Sequence, residues 1–302
     1  MGNPNAMGAM LALGWFALQS CLREENGPAL ERFLRGLEFI TLAALALTLS
    51  VGAFGALGIG VLVMHFYGKE RFSSLLCRLA EMIFAGGCGI LLYIAGNATN
   101  WPWLCLILCG YILIGAWYRG QFERELSDGK WAKLLICLTG ALGAGVVAFL
   151  RPNAAATFAE RLAMIRNGLG YLGVDPLLGV GPYQWRRLNL QDADTYFNTW
   201  HIHNVFVHVG VELGLIAMAM LAIAVVRHFR KREDPAQRGA FSAALVHNLM
   251  DTSFFYMATV PFLIMTAGDD EGKKRRLSGT TVKCMFSVFA VLFAWNMVQI
   301  FW

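Results

Sequence analysis

Five stretches of the chain carry no Asp, Glu, Lys or Arg: 1–22, 39–68, 82–118, 134–150 and 284–302. Two more carry a single charge each, Glu212 within 195–226 and Asp251 within 239–268. A helix crossing the hydrocarbon core needs about 20 apolar residues, at 1.5 Å rise across roughly 30 Å. Backbone groups in lipid have no water to bond, so these stretches predict helices. Barrel strands would alternate instead, over about 10 residues at a time. Stretch 82–118 is too long for one helix, and Asn97-Ala98-Thr99-Asn100-Trp101-Pro102 supplies a turn. Stretch 39–68 also predicts a break, at Gly52 and Gly55 beside Ser50, with its first half extending back through Glu31-Arg32-Phe33-Leu34-Arg35. Stretch 239–268 reads as a hairpin turning near Thr252-Ser253. The expected architecture is an all-α integral membrane protein, one polytopic domain over 1–302. It has ten transmembrane segments, both termini on one side, and one large loop at 151–203.

Charge sets the orientation. The connections at 23–38, 69–81, 119–133, 227–238 and 269–283 share one side and hold twenty of the 25 Lys and Arg. The other five, Arg151, Arg161, Arg166, Arg186 and Arg187, all lie in the 151–203 loop. Cytoplasmic loops carry the excess of Lys and Arg. The five connections therefore face the cytoplasm and the loop faces out.

Composition agrees. Hydrophobic residues make up 57% of the chain and charged residues 15%, against about 25% charged in soluble domains. Mean hydropathy is +0.52. A soluble globule and a disordered chain are both excluded. The net charge of +5 is too scattered to indicate a nucleic-acid partner. The seven cysteines lie in or beside apolar segments and read as small helix residues. The first 22 residues lack the basic start and clear cleavage site of a signal peptide.

Candidate chemistry gathers in and beside the loop. Thr157-Phe158-Ala159-Glu160 has the pattern of a capping box. Phe158, Leu162, Ile165 and Leu169 follow at helical spacing, predicting an amphipathic helix near 157–169 on the membrane surface. Arg161 and Arg166 either snorkel to lipid phosphates or hold an anionic substrate. Tyr183, Trp185, Tyr196 and Trp200 are suited both to stacking on sugars and to the membrane interface. Asp192-Ala193-Asp194 looks like a nucleotide-sugar metal pair, but no nucleotide-binding α/β domain surrounds it. The loop ends in His201-Ile202-His203-Asn204 and enters a helix carrying His208 and Glu212. His247, Asn248 and Asp251 form a second polar cluster, with His247 and Asp251 on one helix face. Ionisable groups in membrane helices are costly and default to function. His203 and His208 would lie about 140° apart on a helix, a poor geometry for shared metal ligation.

Four stretches together resemble the O-antigen ligase and O-antigen polymerase family. They are Gly2-Asn3-Pro4-Asn5-Ala6; Arg161 with Pro176-Leu177-Leu178-Gly179-Val180-Gly181; His203-Asn204 with Glu212-Leu213-Gly214; and His247 with Asp251. The resemblance spans roughly residues 2–268. Where the family commonly has Ser-Arg-Gly, this chain has Ser50-Val51-Gly52. Family members also usually carry several helices before the Pro-Asn entry. The chain thus resembles a short member, a truncated one, or one half of a two-chain system whose partner chain supplies the further helices.

The resemblance implies a metal-independent membrane glycosyltransferase of GT-C-like fold in the bacterial plasma membrane, working at its outer face without a cofactor. The donor would be a lipid-linked oligosaccharide on polyprenyl diphosphate, and the acceptor a hydroxyl of a glycan or of lipid A core. Arg161 would hold the diphosphate and His203 would be the base. Asn204, Gly179, Gly181, Ser50, His247 and Asp251 would contact substrate. Glu212, Gly210 and Gly214 would be architectural, the glycines letting a neighbouring helix approach closely. Two other readings remain: a protein O-oligosaccharyltransferase, and a non-catalytic or truncated subunit of a glycan-export system. A transporter should line a path across the bilayer with polar groups. Here the ionisable residues of the membrane segments gather towards one face.

The topology is directly testable. Single cysteines placed at Arg186 and Asp192 should label with a membrane-impermeant maleimide from outside intact cells, and those at Lys231 and Lys274 should not. Labelling at Lys274 from outside would remove the turn near 252.

Overall fold

The computed structural model describes residues 3–24, 27–98, 138, 153–191 and 197–255. The chain divides into two compact units, Met1–Ala267 and Gly268–Trp302, and every described residue lies in the first. The expected turn after Ala98, the segment at 119–133, the segment at 134–150 apart from Leu138, and everything beyond 255 fall outside the described residues.

Every regular element among the described residues is helical. In chain order these are α1 (Pro4–Arg23), α2 (Pro28–Leu47), α3 (Val51–Gly68), α4 (Phe72–Ala98), α5 (Ala154–Leu172), α6 (Gln184–Gln191), α7 (Val205–Lys231) and α8 (Pro235–Asn248), followed by a 3-10 turn at Ser253–Phe255. Four apolar runs among them are long enough to cross a membrane: Pro4–Arg23, Val51–Gly68, Phe72–Ile94 and Val205–Lys231. The protein is an all-α, membrane-embedded chain.

The helix starts are written in the sequence as caps. Asn3 accepts from the backbone N–H groups of Asn5 at 2.9 Å and Ala6 at 3.4 Å. Pro4 follows at the first helical position, where its missing N–H costs nothing. The Asn3-Pro4 pair is thus a helix-start device. Asp234-Pro235 repeats it at α8, where Asp234 accepts from Ala236 N–H at 3.0 Å. The break within 39–68 falls at 48–50 rather than at Gly52 and Gly55, which lie inside α3. Polar side chains decide the position: Thr48 donates to the Leu45 carbonyl at 2.7 Å, and Ser50 accepts from Ala53 N–H at 3.3 Å.

Helices α1, α2, α3 and α8 enclose the main core, with Trp15, Phe16, Leu42, Leu57, Val61 and Met64 fully buried. Helices α3 and α8 run antiparallel, Gly52 beside His247 and Gly60 beside Gly239. At the second crossing a Cβ on Gly60 would sit 2.5 Å from the Gly239 carbonyl oxygen, and one on Gly239 would sit 2.7 Å from that of Gly60. No side chain fits between these backbones.

At one end of the bundle Arg23 pairs with Glu70 at 2.5 Å and with Asp234 at 3.4 Å. Ser20 donates to Asp234 at 2.5 Å, and Arg78 pairs with Glu70. Three of the five basic connections, 23–38, 69–81 and 227–238, therefore share an end, as their charge pattern predicted. Deeper in, Glu38 is fully buried against Gln19 at 2.5 Å and Arg35 at 3.3 Å. This polar tie between α1 and α2 has no sequence signal beyond a lone carboxylate.

Gly239→Leu should force α3 and α8 apart. Overpacking typically costs about 1–3 kcal/mol, and a backbone obstacle places this variant at the upper end. Thermal unfolding in detergent should show a lower midpoint than for Gly55→Leu, because a Cβ at Gly55 meets open space. Equal midpoints would mean that the crossing tolerates separation.

Candidate functional site

The loop at 151–203 and the start of α7 share a small core of Met164, Trp185, Phe197, Ile202 and Val211. Helix α5 starts at Ala154, three residues before the expected capping box. Thr157 lies in its first turn and donates its hydroxyl to the Asn153 carbonyl at 3.0 Å, so no capping box forms. The stripe of Phe158, Leu162 and Leu169 points outward, each about half exposed. The opposite face packs inward through Met164 and Gly168, against Ile202 and Val207. An outward apolar stripe on a polar loop is what a membrane-surface helix presents.

Two stretches singled out by the resemblance are joined backbone to backbone. Val180 N–H donates to the Val211 carbonyl at 2.8 Å, Gly181 N–H to that of Glu212 at 3.0 Å, and Leu215 N–H to that of Pro176 at 2.8 Å. Helix α7 is kinked there, with Gly214 at φ 82. A Cβ on Gly214 would meet the Leu177 carbonyl oxygen at 2.0 Å, and one on Gly179 would meet the α7 backbone at 2.5 Å. Gly179 and Gly181 thus lie in an interlock with α7. The neighbour approaching Gly214 is a loop rather than the expected helix, and Gly210 faces Met218 and Leu172.

Glu212 serves the same junction. Its carboxylate accepts from the backbone N–H groups of Tyr183 and Trp185, at the start of α6. An acidic group there satisfies orphan amides and complements the helix dipole. Its side-chain neighbour is His208, 3.6 Å away on the same helix rather than on an adjacent one. His208 in turn lies 3.3 Å from His201.

His203 lies outside α7. Asn204 caps the helix, accepting from Phe206 and Val207 N–H groups at 3.0 Å each. The separation of about 140° expected between His203 and His208 on one helix therefore does not apply. Asn204 also donates to the Leu249 carbonyl at 3.1 Å, tying the start of α7 to the end of α8.

Helix α8 ends at Asn248, so Asp251 sits in the turn beyond it and not on a helix face with His247. There it accepts from Arg161 Nη2 at 2.9 Å, across 90 residues of chain. The side chains are 15% and 3% exposed, so the ion pair is largely buried, with Arg161 the more accessible partner. His247 feels the charges of both Asp251 and Arg161, and its Nδ1 lies 3.1 Å from Ser253 Oγ. Its ring also borders Gly52, at 3.9 Å from an added Cβ. Ser50 is buried one residue before α3, where its hydroxyl serves as the cap. His203 senses Asp251, Arg161 and Glu160. Burial holds its imidazole below the ordinary value; Asp251 pulls it back up and Arg161 pushes it down again. The ring is therefore neutral at pH 7. Arg166, by contrast, is exposed.

Three buried nitrogens in this group have no hydrogen-bond partner among the described residues: Arg161 Nε, His203 Nδ1 and His247 Nε2. Buried polar groups are nearly always paired, so these three atoms are open to a water molecule or another polar partner. Among the described residues no group of His, Cys, Asp and Glu could hold a metal ion.

Sequence reading passed over several residues here. Arg186 donates to the carbonyls of Thr199 at 2.8 Å and Phe197 at 3.4 Å, and its guanidinium lies 5.0 Å from the Trp200 ring centre. Buried Asn189 holds Phe197 through two backbone bonds, at 2.6 and 2.9 Å. Neither Arg186 nor Asn189 forms part of a motif; only the folded turn gives them partners. No protein-family model, curated protein or solved structure matches the chain.

The Arg161–Asp251 pair should behave as a unit. Breaking a buried pair from one side costs about 3–5 kcal/mol because a charge is left unpaired. Asp251→Ala and Arg161→Ala should each lower the unfolding midpoint strongly. The double variant should lie well above the sum of the two losses, and additive losses would argue against the pairing. Arg166→Ala should stay within about 0.5 kcal/mol of the parent.

Proposed function

We propose that this chain transfers a glycan from polyprenyl diphosphate to an acceptor hydroxyl, as an O-antigen ligase or surface-polysaccharide polymerase does. The reaction takes place at the outer face of a bacterial plasma membrane. The observation that carries the reading is the meeting of Arg161, His203, His247 and Asp251 at one end of the membrane bundle. They arrive from separate parts of the chain, and three of them have an unsatisfied buried nitrogen.

The chemistry asks little else. A lipid diphosphate is already a good leaving group and needs charge stabilisation rather than an acid. Arg161 supplies a permanent cation with a planar fork of donors. The acceptor oxygen bonds to the anomeric carbon as the bond from that carbon to the diphosphate oxygen breaks. The electron pair leaves on the diphosphate, beside Arg161, and the hydroxyl proton passes to His203. Attack opposite the leaving group inverts the anomeric centre. A general base of this kind contributes about 10²–10⁴-fold. Asp251 holds Arg161 in place and keeps it from being an isolated buried charge. Glu212 acts at a distance, by fixing the loop.

The residues should separate in a transfer assay run beside membrane protein levels. His203→Ala should abolish transfer with the protein still accumulating. Arg161→Lys should rescue Arg161→Ala poorly, because lysine keeps the charge but not the fork. Glu212→Gln should retain much of the activity, whereas Glu212→Leu should lower abundance. The depressed imidazole sets the pH dependence. A base stays competent while neutral, so the acid limb of the rate profile should fall below the ordinary histidine value of about 6.5. A well-accumulated His203→Ala protein with normal transfer would end the proposal.

A further inference from the structure

We infer that Thr199 is a positioning residue that fixes the tautomer of His203, leaving Nδ1 as the nitrogen that takes the acceptor proton. The proton-transfer role rests on the glycan-transfer reading; the tautomer does not.

The inference follows from counting protons and lone pairs around one oxygen. A threonine hydroxyl has one proton to give and two lone pairs to receive. Among the described residues Thr199 Oγ1 has three polar neighbours: the His201 carbonyl oxygen at 3.0 Å, the His201 backbone N–H at 3.4 Å and His203 Nε2 at 3.4 Å. The carbonyl can only accept, and it is the nearest, so it receives the hydroxyl proton. The backbone N–H can only donate, so it uses one lone pair. What remains for His203 Nε2 is the second lone pair. Nε2 must therefore carry a proton. In a neutral imidazole the other nitrogen is then bare. That nitrogen, Nδ1, is the buried atom with no hydrogen-bond partner among the described residues.

The framework holding Thr199 is stiff enough to impose this choice. Its carbonyl receives Arg186, its N–H donates to the Phe197 carbonyl at 2.8 Å, and Asn189 holds Phe197 from α6. On the other side, His203 N–H donates to the Met164 sulfur at 3.4 Å, which fixes the imidazole's backbone against α5. The ring is gripped at Nε2 and at its own backbone. During transfer the acceptor proton moves to Nδ1. The resulting imidazolium keeps its Nε2 proton directed at Thr199, and returns the Nδ1 proton to solvent after the diphosphate has left.

The full-length protein, labelled with ¹⁵N-histidine, is reconstituted in vesicles of phosphatidylethanolamine and phosphatidylglycerol. Nitrogen NMR is recorded above the imidazole titration range, with the His203 signals identified by their loss in His203→Gln. The expected wild-type spectrum has His203 protonated at Nε2 and bare at Nδ1. Thr199→Ser should keep that pattern, and Thr199→Val should admit the other tautomer as a second signal. With an undecaprenyl-diphosphate-linked glycan as donor, Thr199→Val should lower kcat about tenfold or more, part of the contribution of a general base, with little change in KM. Thr199→Ser should restore it. A wild-type His203 protonated at Nδ1 would overturn the assignment whatever the activity, and needs no variant to fold. A Thr199→Val protein with the wild-type tautomer and kcat would overturn the positioning role. The expected tautomer in a wild-type protein that transfers no glycan would leave the assignment standing and remove the glycan-transfer reading instead.

Discussion

The structure depends on the contact between the backbones of α3 and α8 at Gly60 and Gly239. Lipid offers no hydrophobic drive for helices to associate, so close packing between small residues has to hold them together. Here the two carbonyls come so near that neither position admits a Cβ. Fixing that crossing fixes the antiparallel register. The register carries the end of α8 to the start of α3, placing His247 against Gly52. The turn that follows, with Asp251 and Ser253, is then delivered to the end of the bundle where α5 brings Arg161. The membrane core and the polar cluster are two consequences of one helix crossing.

A second junction of the same kind governs the loop at 151–203. The Pro176–Gly181 segment runs against the kink in α7 and exchanges backbone hydrogen bonds with it on both sides of Gly214. A helix kinked at a glycine frees backbone groups that must find partners, and in a membrane protein they cannot find them in lipid. The loop supplies them. Glu212 then closes the junction by receiving the first amides of α6. The stretches that make the sequence resemble a glycan-transferring family thus divide in two. One part, around Gly179, Gly181, Glu212 and Gly214, builds the loop. The other, around Arg161, His203, His247 and Asp251, gathers the charged and titratable groups.

Within that second group, burial sets the states. Arginine cannot lose its proton, so a buried Arg161 requires a counter-charge, and Asp251 is the group in reach. The imidazole of His203 does the opposite and stays neutral, since desolvation penalises its charged form. A permanent cation and a neutral imidazole close together are what the proposed transfer needs: one group for the departing diphosphate and another for the incoming hydroxyl. Arg166, on the same helix, is exposed and meets neither requirement.

The sequence by itself determined the four apolar helices of membrane-spanning length among the described residues. Charge-free runs, Asn3-Pro4 and Asp234-Pro235 caps, and the basic connections are local signals, and lipid punishes every departure from them. It also singled out Arg161, His203, Asn204, Glu212, His247 and Asp251, because polar and ionisable groups beside apolar runs stand out against so little polarity. It misplaced what depends on where a helix stops. Ending α8 at Asn248 moves Asp251 off the face of His247 and onto Arg161, and starting α7 at Val205 puts His203 in a turn instead of on a helix. Periodicity cannot locate such ends, since the apolar pattern continues past them. Only the tertiary structure decided which polar atoms meet. Thr199, Arg186 and Asn189 carry no signal in the sequence, because a hydroxyl, a guanidinium and an amide acquire their roles from partners that the folded turn brings within hydrogen-bonding distance.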